Sequence, residues 1–102
     1  MDNKKRCYNS GKIGGLPYLK ALNNFRKADE AIKNMGFVPV NPMYNGINPS
    51  YPWIIHMVVD ILLLATCGNI YFQSNWESSR GSRIEFKIAK FLRMEIWFEN
   101  KE

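Results

Sequence analysis

The stretch RCYNSGKIGGLPYLKALNNFRKADEAIKNMGFVPV, residues 6–40, decides the fold. Residues 6–9 are short and bounded by Gly11, as a first strand is. Gly11, Gly14 and Gly15 then make a loop, and Pro17 suits the first turn of a helix, where its missing N–H is not needed. Over residues 18–35 the apolar side chains Leu19, Leu22, Phe25, Ala28, Ile32 and Met35 recur at three- and four-residue steps, which predicts an amphipathic helix. Gly36 stands just past its last turn, where a left-handed residue commonly ends a helix. Phe37-Val38-Pro39-Val40 reads as a short strand, and Pro39, lacking an N–H, assigns it to a sheet edge.

The remainder repeats the same alternation. Residues 41–52 hold three prolines, three asparagines and a glycine, a long loop of the kind that often serves a site. Pro52 opens a helix reaching about Thr66. Ile70-Tyr71-Phe72 makes a third strand, residues 82–92 a third helix and residues 95–98 a last strand. Strands alternating with helices predict a parallel sheet of four to five strands, covered on both faces through right-handed crossovers. The expected architecture is α/β: one small, doubly wound, Rossmann- or flavodoxin-like domain of three layers over residues 1–102. Ligands of such folds sit beyond the carboxyl ends of the strands, where strand order reverses. Three segments are expected there: the glycine loop, the Asn41 loop and the stretch opening the third helix.

A chain of 102 residues has room for one modest core, and 46% hydrophobic with 14% aromatic content excludes disorder as its general state. The formal charge of +5 suits an anionic ligand. Apart from Lys4-Lys5-Arg6 the cations are scattered, which reads as a solvated basic surface rather than a nucleic-acid groove. Cys7 and Cys67 are isolated, without a CxxC or a His/Cys cluster, so no metal site is expected. With no signal-peptide pattern, both are expected as reduced thiols in a cytoplasmic protein. The apolar run 53–67 is too short to span a bilayer and carries His56 and Asp60; a buried helix is expected.

Two carboxylates stand out. Ser82-Arg83-Ile84-Glu85 fits a capping box, in which Glu85 reaches back to the Ser82 N–H. Yet at about 100° per residue Glu85 falls beside Leu92, inside an apolar sector of Ile84, Ile88, Phe91 and Leu92. The other reading is a carboxylate facing the ligand crevice, able to attack an anomeric carbon or stabilise an oxocarbenium-like centre. Asp60 lies on an apolar helix, with either an ion pair to His56 one turn earlier or a ligand as its partner. Ser10-Gly11-Lys12-Ile13-Gly14-Gly15 could cradle a phosphate on backbone N–H groups, although it is neither a Walker loop nor a GxGxxG fingerprint. Ser78, Ser79 and Gly81 offer a second such turn, and Trp76 or Tyr8 could stack on a base. No Ser-His-Asp, Cys-His or metal constellation is legible, which leaves carboxylate chemistry.

Together, Tyr8-x-Ser10-Gly11-x-Ile13-x-Gly15, Asn41-Pro42, Trp53-x3-Met57-x2-Asp60 and Trp76-Glu77-x-Ser79-x-Gly81-x3-Glu85-x3-Ala89 span most of the chain. This pattern resembles the nucleoside 2-deoxyribosyltransferase-like superfamily, most closely a branch of small bacterial and phage domains without assigned function. The resemblance implies Glu85 as the nucleophile that takes the sugar from the base and Asp60 as a contact to sugar or base. It places the nucleotide against Ser10 to Gly15, with Asn41 and Trp76 nearby. At Ser79 the transferases tend to carry aspartate, and the hydrolases of deoxynucleoside 5′-monophosphates a phosphate-binding serine. Ser79 therefore implies a 5′-phosphorylated ligand. Cys67-Gly68 departs from the usual Cys-Asp or Ala-Asp, and Phe86-Lys87 replaces a Leu/Ile-Gly pair, which narrows the expected pocket. The implied function is a nucleotide N-glycosidase or deoxyribosyltransferase, with a non-catalytic nucleotide-binding module as the alternative. Either needs no cofactor, takes a nucleoside or nucleotide, and is expected as a homo-oligomer joined through the apolar helix over residues 53–67.

Overall fold

The computed structural model describes residues 3–100. Its elements are β1 (Arg6–Ser10), α1 (Tyr18–Asn34), β2 (Val38–Val40), α2 (Trp53–Leu64), β3 (Asn69–Phe72), α3 (Arg80–Phe91) and β4 (Glu95–Phe98). All strand pairs are parallel, in the order β2-β1-β3-β4. The chain therefore winds from β1 out to β2, then crosses over to build β3 and β4. The reversal falls between β1 and β3, as in a small Rossmann- or flavodoxin-like fold. β2, with Pro39 at its centre, is an edge strand paired to β1 alone.

The two-residue period of the strands sorts the layers. Cys7 and Tyr71 point to one face, where Ala28 and Ile32 of α1 cover them. Tyr8, Ile70 and Phe72 point to the other, against Leu64 of α2 and Ala89 of α3. Gly36, at φ 91°, ends α1 by letting the Phe37 N–H return to the Ile32 carbonyl at 3.2 Å.

Three helix readings need correction. The buried stripe of α1 is Ala21, Phe25, Ala28 and Ile32, while Leu19 is 75% exposed and Met35 is exposed at the cap. Ala21, fully buried, takes the place in the stripe that Leu19 was expected to fill. α2 is not a buried helix: Met57 and Leu64 are its buried residues, and Ile54, Ile55, Val58 and Leu62 are 42–64% exposed. One side of α2 meets the core and α3, another borders a cavity, and the third is left uncovered among the described residues. α3 starts at Arg80, two residues before the expected Ser82, and buries Ser82, Glu85 and Ala89. Phe91 is 85% exposed and Leu92 also lies outside the core. No helix among the described residues is long and apolar enough to cross a membrane.

Candidate active site

Strand alternation aims Tyr8 and Ser10 at the α3 face of the sheet, and α3 presents Ser82 and Glu85 to them. The Tyr8 hydroxyl donates to Glu85 Oε2 at 2.7 Å, and the Ser10 hydroxyl donates to Oε1 at 2.7 Å. The Ser10 and Ser82 hydroxyls lie 2.9 Å apart. Glu85 is 5% exposed and Tyr8 is fully buried. The capping box is therefore not formed: Ser79 is the N-cap, its Oγ accepting from the Ser82 N–H at 3.2 Å. The earlier helix start moves Glu85 beyond the first turn, where it has no orphan N–H to serve. Burial raises its pKa to about 7, against the hydrogen bonds from Tyr8 and Ser10 and with the aid of the Asp60 charge. Burial, then the charges of Glu85 and Asp60, lift Tyr8 well above its ordinary value and keep it a donor.

Beside this cluster, at the switch point, lies a cavity of about 570 Å³. That size suits a small-molecule ligand. Its wall comes from Gly11 to Gly14 after β1, the Pro42–Pro49 loop after β2, one side of α2, and Ser78 to Gly81 at the start of α3. The three segments expected at the reversal do meet here. Smaller hollows of about 300 and 350 Å³, beside Trp76 and along α1, contain neither Asp60 nor the glycine loop. Asp60 is in the wall, accepting a hydrogen bond from Asn45 Nδ2 at 3.0 Å. His56, the ion-pair partner that the sequence offered as one of two readings, lines the same wall and acts on Asp60 through its charge. Burial raises the Asp60 pKa, opposed by the Asn45 bond and the His56 charge.

Glu85 is one layer behind the wall. It is bonded to Ser10, whose neighbour Gly11 lines the cavity, and follows Gly81, also lining, by one helical turn. Gly11 is held to glycine by a close approach: a Cβ there falls inside the Gln73 side chain. Gln73 Nε2 donates to Asn9 Oδ1 at 2.8 Å, and Asn9 Nδ2 donates to Asp29 at 2.8 Å. Asn41 Nδ2 also donates to Asp29, at 3.1 Å, and its Oδ1 accepts from Met43 N at 2.9 Å. Amides thus brace β1 and the segments after β2 and β3 against α1.

Of the residues singled out from sequence, Gly11, Lys12, Ile13, Gly14, Asp60, Ser79 and Gly81 line the cavity. Tyr8, Ser10 and Glu85 back it. Gly15 and Asn41 shape the adjoining loops without lining it. Trp76 is not at the cavity; its ring packs 5.0 Å from Phe72, 4.9 Å from Phe86 and 5.8 Å from Phe98. Tyr8, being fully buried, has no face for a base. The aromatic groups in the wall are Tyr18, Tyr51 and Trp53, and Arg80 stands there too, 4.3 Å over the Trp53 ring. Trp53 stood in the sequence pattern without a role at the site, and Tyr18, Tyr51 and Arg80 were missed because helix starts and loops carry no periodicity. The available signal was position: Tyr51 and Trp53 flank Pro52 at the ligand end of α2, and Arg80 sits between Ser79 and Gly81.

No curated protein matches the chain. The sheet, the cavity wall and the carboxylates all lie within residues 5–98, the span matched by the family described as Domain of unknown function (DUF4406), and the chain belongs to that family.

Proposed function

We propose that this protein cleaves the base–sugar bond of a (deoxy)nucleoside or its 5′-monophosphate, with Glu85 as nucleophile and Asp60 orienting the sugar or base. The observation that carries the reading is a buried carboxylate, held by two hydroxyls, directly behind a cavity that contains a second carboxylate. The resemblance to the nucleoside 2-deoxyribosyltransferase-like superfamily supports it. In this mechanism a Glu85 oxygen forms a bond to the anomeric carbon as the bond to the base nitrogen breaks. The base leaves with the electron pair and takes up a proton, and water or a second base then displaces Glu85. For this step the carboxylate has to come forward from its place behind the wall, next to Ser10 and one helical turn after Gly81. Ser79 and the backbone N–H groups of residues 11–14 other than Lys12, whose N–H donates to Asn75 Oδ1 at 3.1 Å, hold the 5′-phosphate.

Incubation with deoxynucleoside 5′-monophosphates is expected to release free base, and Glu85→Ala to reduce the rate by several orders of magnitude. Release that persists in the variant rules out Glu85 as the nucleophile. One observation favours a second reading, a nucleotide-binding module without chemistry: both Glu85 oxygens are already engaged and neither lines the cavity. Tight binding without base release, unchanged by Glu85→Gln, would select it. Under either reading the protein acts in the cytoplasm as a homo-oligomer, with the exposed Ile54, Ile55, Val58 and Leu62 of α2 meeting a second copy.

A further inference from the structure

The first turn of α3 carries two arginines with different surroundings. Arg83 donates through Nη1 to the Glu77 carbonyl at 2.9 Å and is not in the cavity wall. Arg80 is in the wall between Ser79 and Gly81, with its Cζ 4.3 Å from the centre of the Trp53 ring. Trp53 begins α2, so this stack joins the N-terminal ends of two helices beside the cavity. A guanidinium is planar. An aromatic ring covers one of its faces and leaves the N–H donors of its edge available. Those edge donors match a phosphate in a two-bond fork. Stacking also holds a long, flexible side chain near one position, which lowers the ordering lost when a ligand binds.

The other charges in the wall make the same choice. Asp60 is engaged by Asn45, and Lys12 leans back over its own loop, its Nζ 3.9 Å from where a Gly15 Cβ would lie. Arg80 is the cation with a rigid support. Resting on the reading of this cavity as a nucleotide site, we propose that Arg80, held by Trp53, is the residue that selects a 5′-phosphorylated ligand over the neutral nucleoside. A nucleoside offers Arg80 no charged acceptor, whereas the monophosphate meets it beside the Ser79 hydroxyl.

The test is calorimetric titration of deoxynucleoside 5′-monophosphates and the matching deoxynucleosides. The proteins are Glu85→Gln alone, which keeps the ligand intact, and the same protein with Arg80→Gln, Arg80→Lys or Trp53→Leu. The parent is expected to prefer the monophosphate by about ten- to hundredfold, the range of one charge-assisted contact. Arg80→Gln should lower that ratio by about tenfold, leaving what Ser79 and the glycine loop contribute, while nucleoside affinity stays within about twofold. Arg80→Lys should keep an intermediate ratio, and Trp53→Leu should lower it by freeing the guanidinium. Arg80 is exposed, so folding is expected to survive its replacement. A ratio unchanged in Arg80→Gln, or a parent that binds both ligands equally, overturns the assignment and leaves base–sugar cleavage to its own test. A ratio that falls as expected, with no base release from wild type, upholds Arg80 and removes the catalytic reading instead. Failure of every monophosphate to bind the parent overturns both.

Discussion

Glu85 is a carboxylic acid that two hydroxyl donors hold in place while burial works against its charge. The folded protein keeps its proton up to about pH 7, whereas the unfolded chain gives it up near the ordinary value of 4.5. Between those values the native state binds more protons than the unfolded one, so stability falls as pH rises through the window and levels off above it. Full expression of the effect is on the order of 3 kcal/mol. Glu85→Gln has no proton to lose, so it is expected to gain in melting temperature relative to wild type from pH 5 to pH 8. Asp60 titrates in the same sense in both proteins, and the difference between them isolates Glu85. A difference that stays flat across that range would contradict the buried, raised carboxyl. If Glu85 is the nucleophile, base release runs the opposite way, rising through about pH 7 as the carboxylate forms. The anomaly of this residue was legible from its place on the helix, but its partners were not. The Ser-x-x-Glu spacing at 82–85 imitates a cap, and Ser79, three residues earlier, competes for that role and takes it.

At the scale of elements, the site depends on how closely the loops after β1 and β3 approach each other. Gly11 lies against the Gln73 amide, and Gln73 is tied to Asn9 of β1. Gly11→Ala is therefore expected to destabilise the protein by about 1–3 kcal/mol, the scale of overpacking a well-filled interior. Gln73→Ala alone leaves Asn9 Oδ1 without this donor and also destabilises. Because it opens the space a Gly11 Cβ needs, the double variant should lose less than the sum of the two in urea denaturation. Strict additivity would show that the two side chains do not meet. The elements themselves were readable, since strand period and helix period are local properties of the chain. Which side of a helix is buried was less so. α2 is apolar all round, so its sequence could not say that the sheet takes Leu64, the cavity takes Met57 and Asp60, and Ile54, Val58 and Leu62 are left outside.

For the whole molecule, that uncovered side of α2 bears on assembly. A contiguous apolar stripe on one helix suits a two-fold contact with the same stripe of a second copy. Sedimentation of wild type is expected to show a dimer or larger species, and Val58→Lys with Leu62→Lys to shift it to the monomer without loss of helicity. A wild type that sediments as a monomer at high concentration removes this expectation. Taken alone, the sequence determined the alternation of strands and helices, hence a parallel, doubly wound sheet, and the edge position of the Pro39 strand. It also determined that the glycine loop and the turn before α3 lie at one end of that sheet. Tertiary structure alone decided the chemistry of that end. It brought Tyr8 and Ser10 to Glu85 across 77 and 75 residues of chain. It also drew Trp76 into an aromatic cluster with Phe72, Phe86 and Phe98, and set Arg80 over Trp53 at the cavity. The reason is physical: spacing along a chain fixes which face a side chain occupies, but only the order of the strands fixes what stands opposite that face.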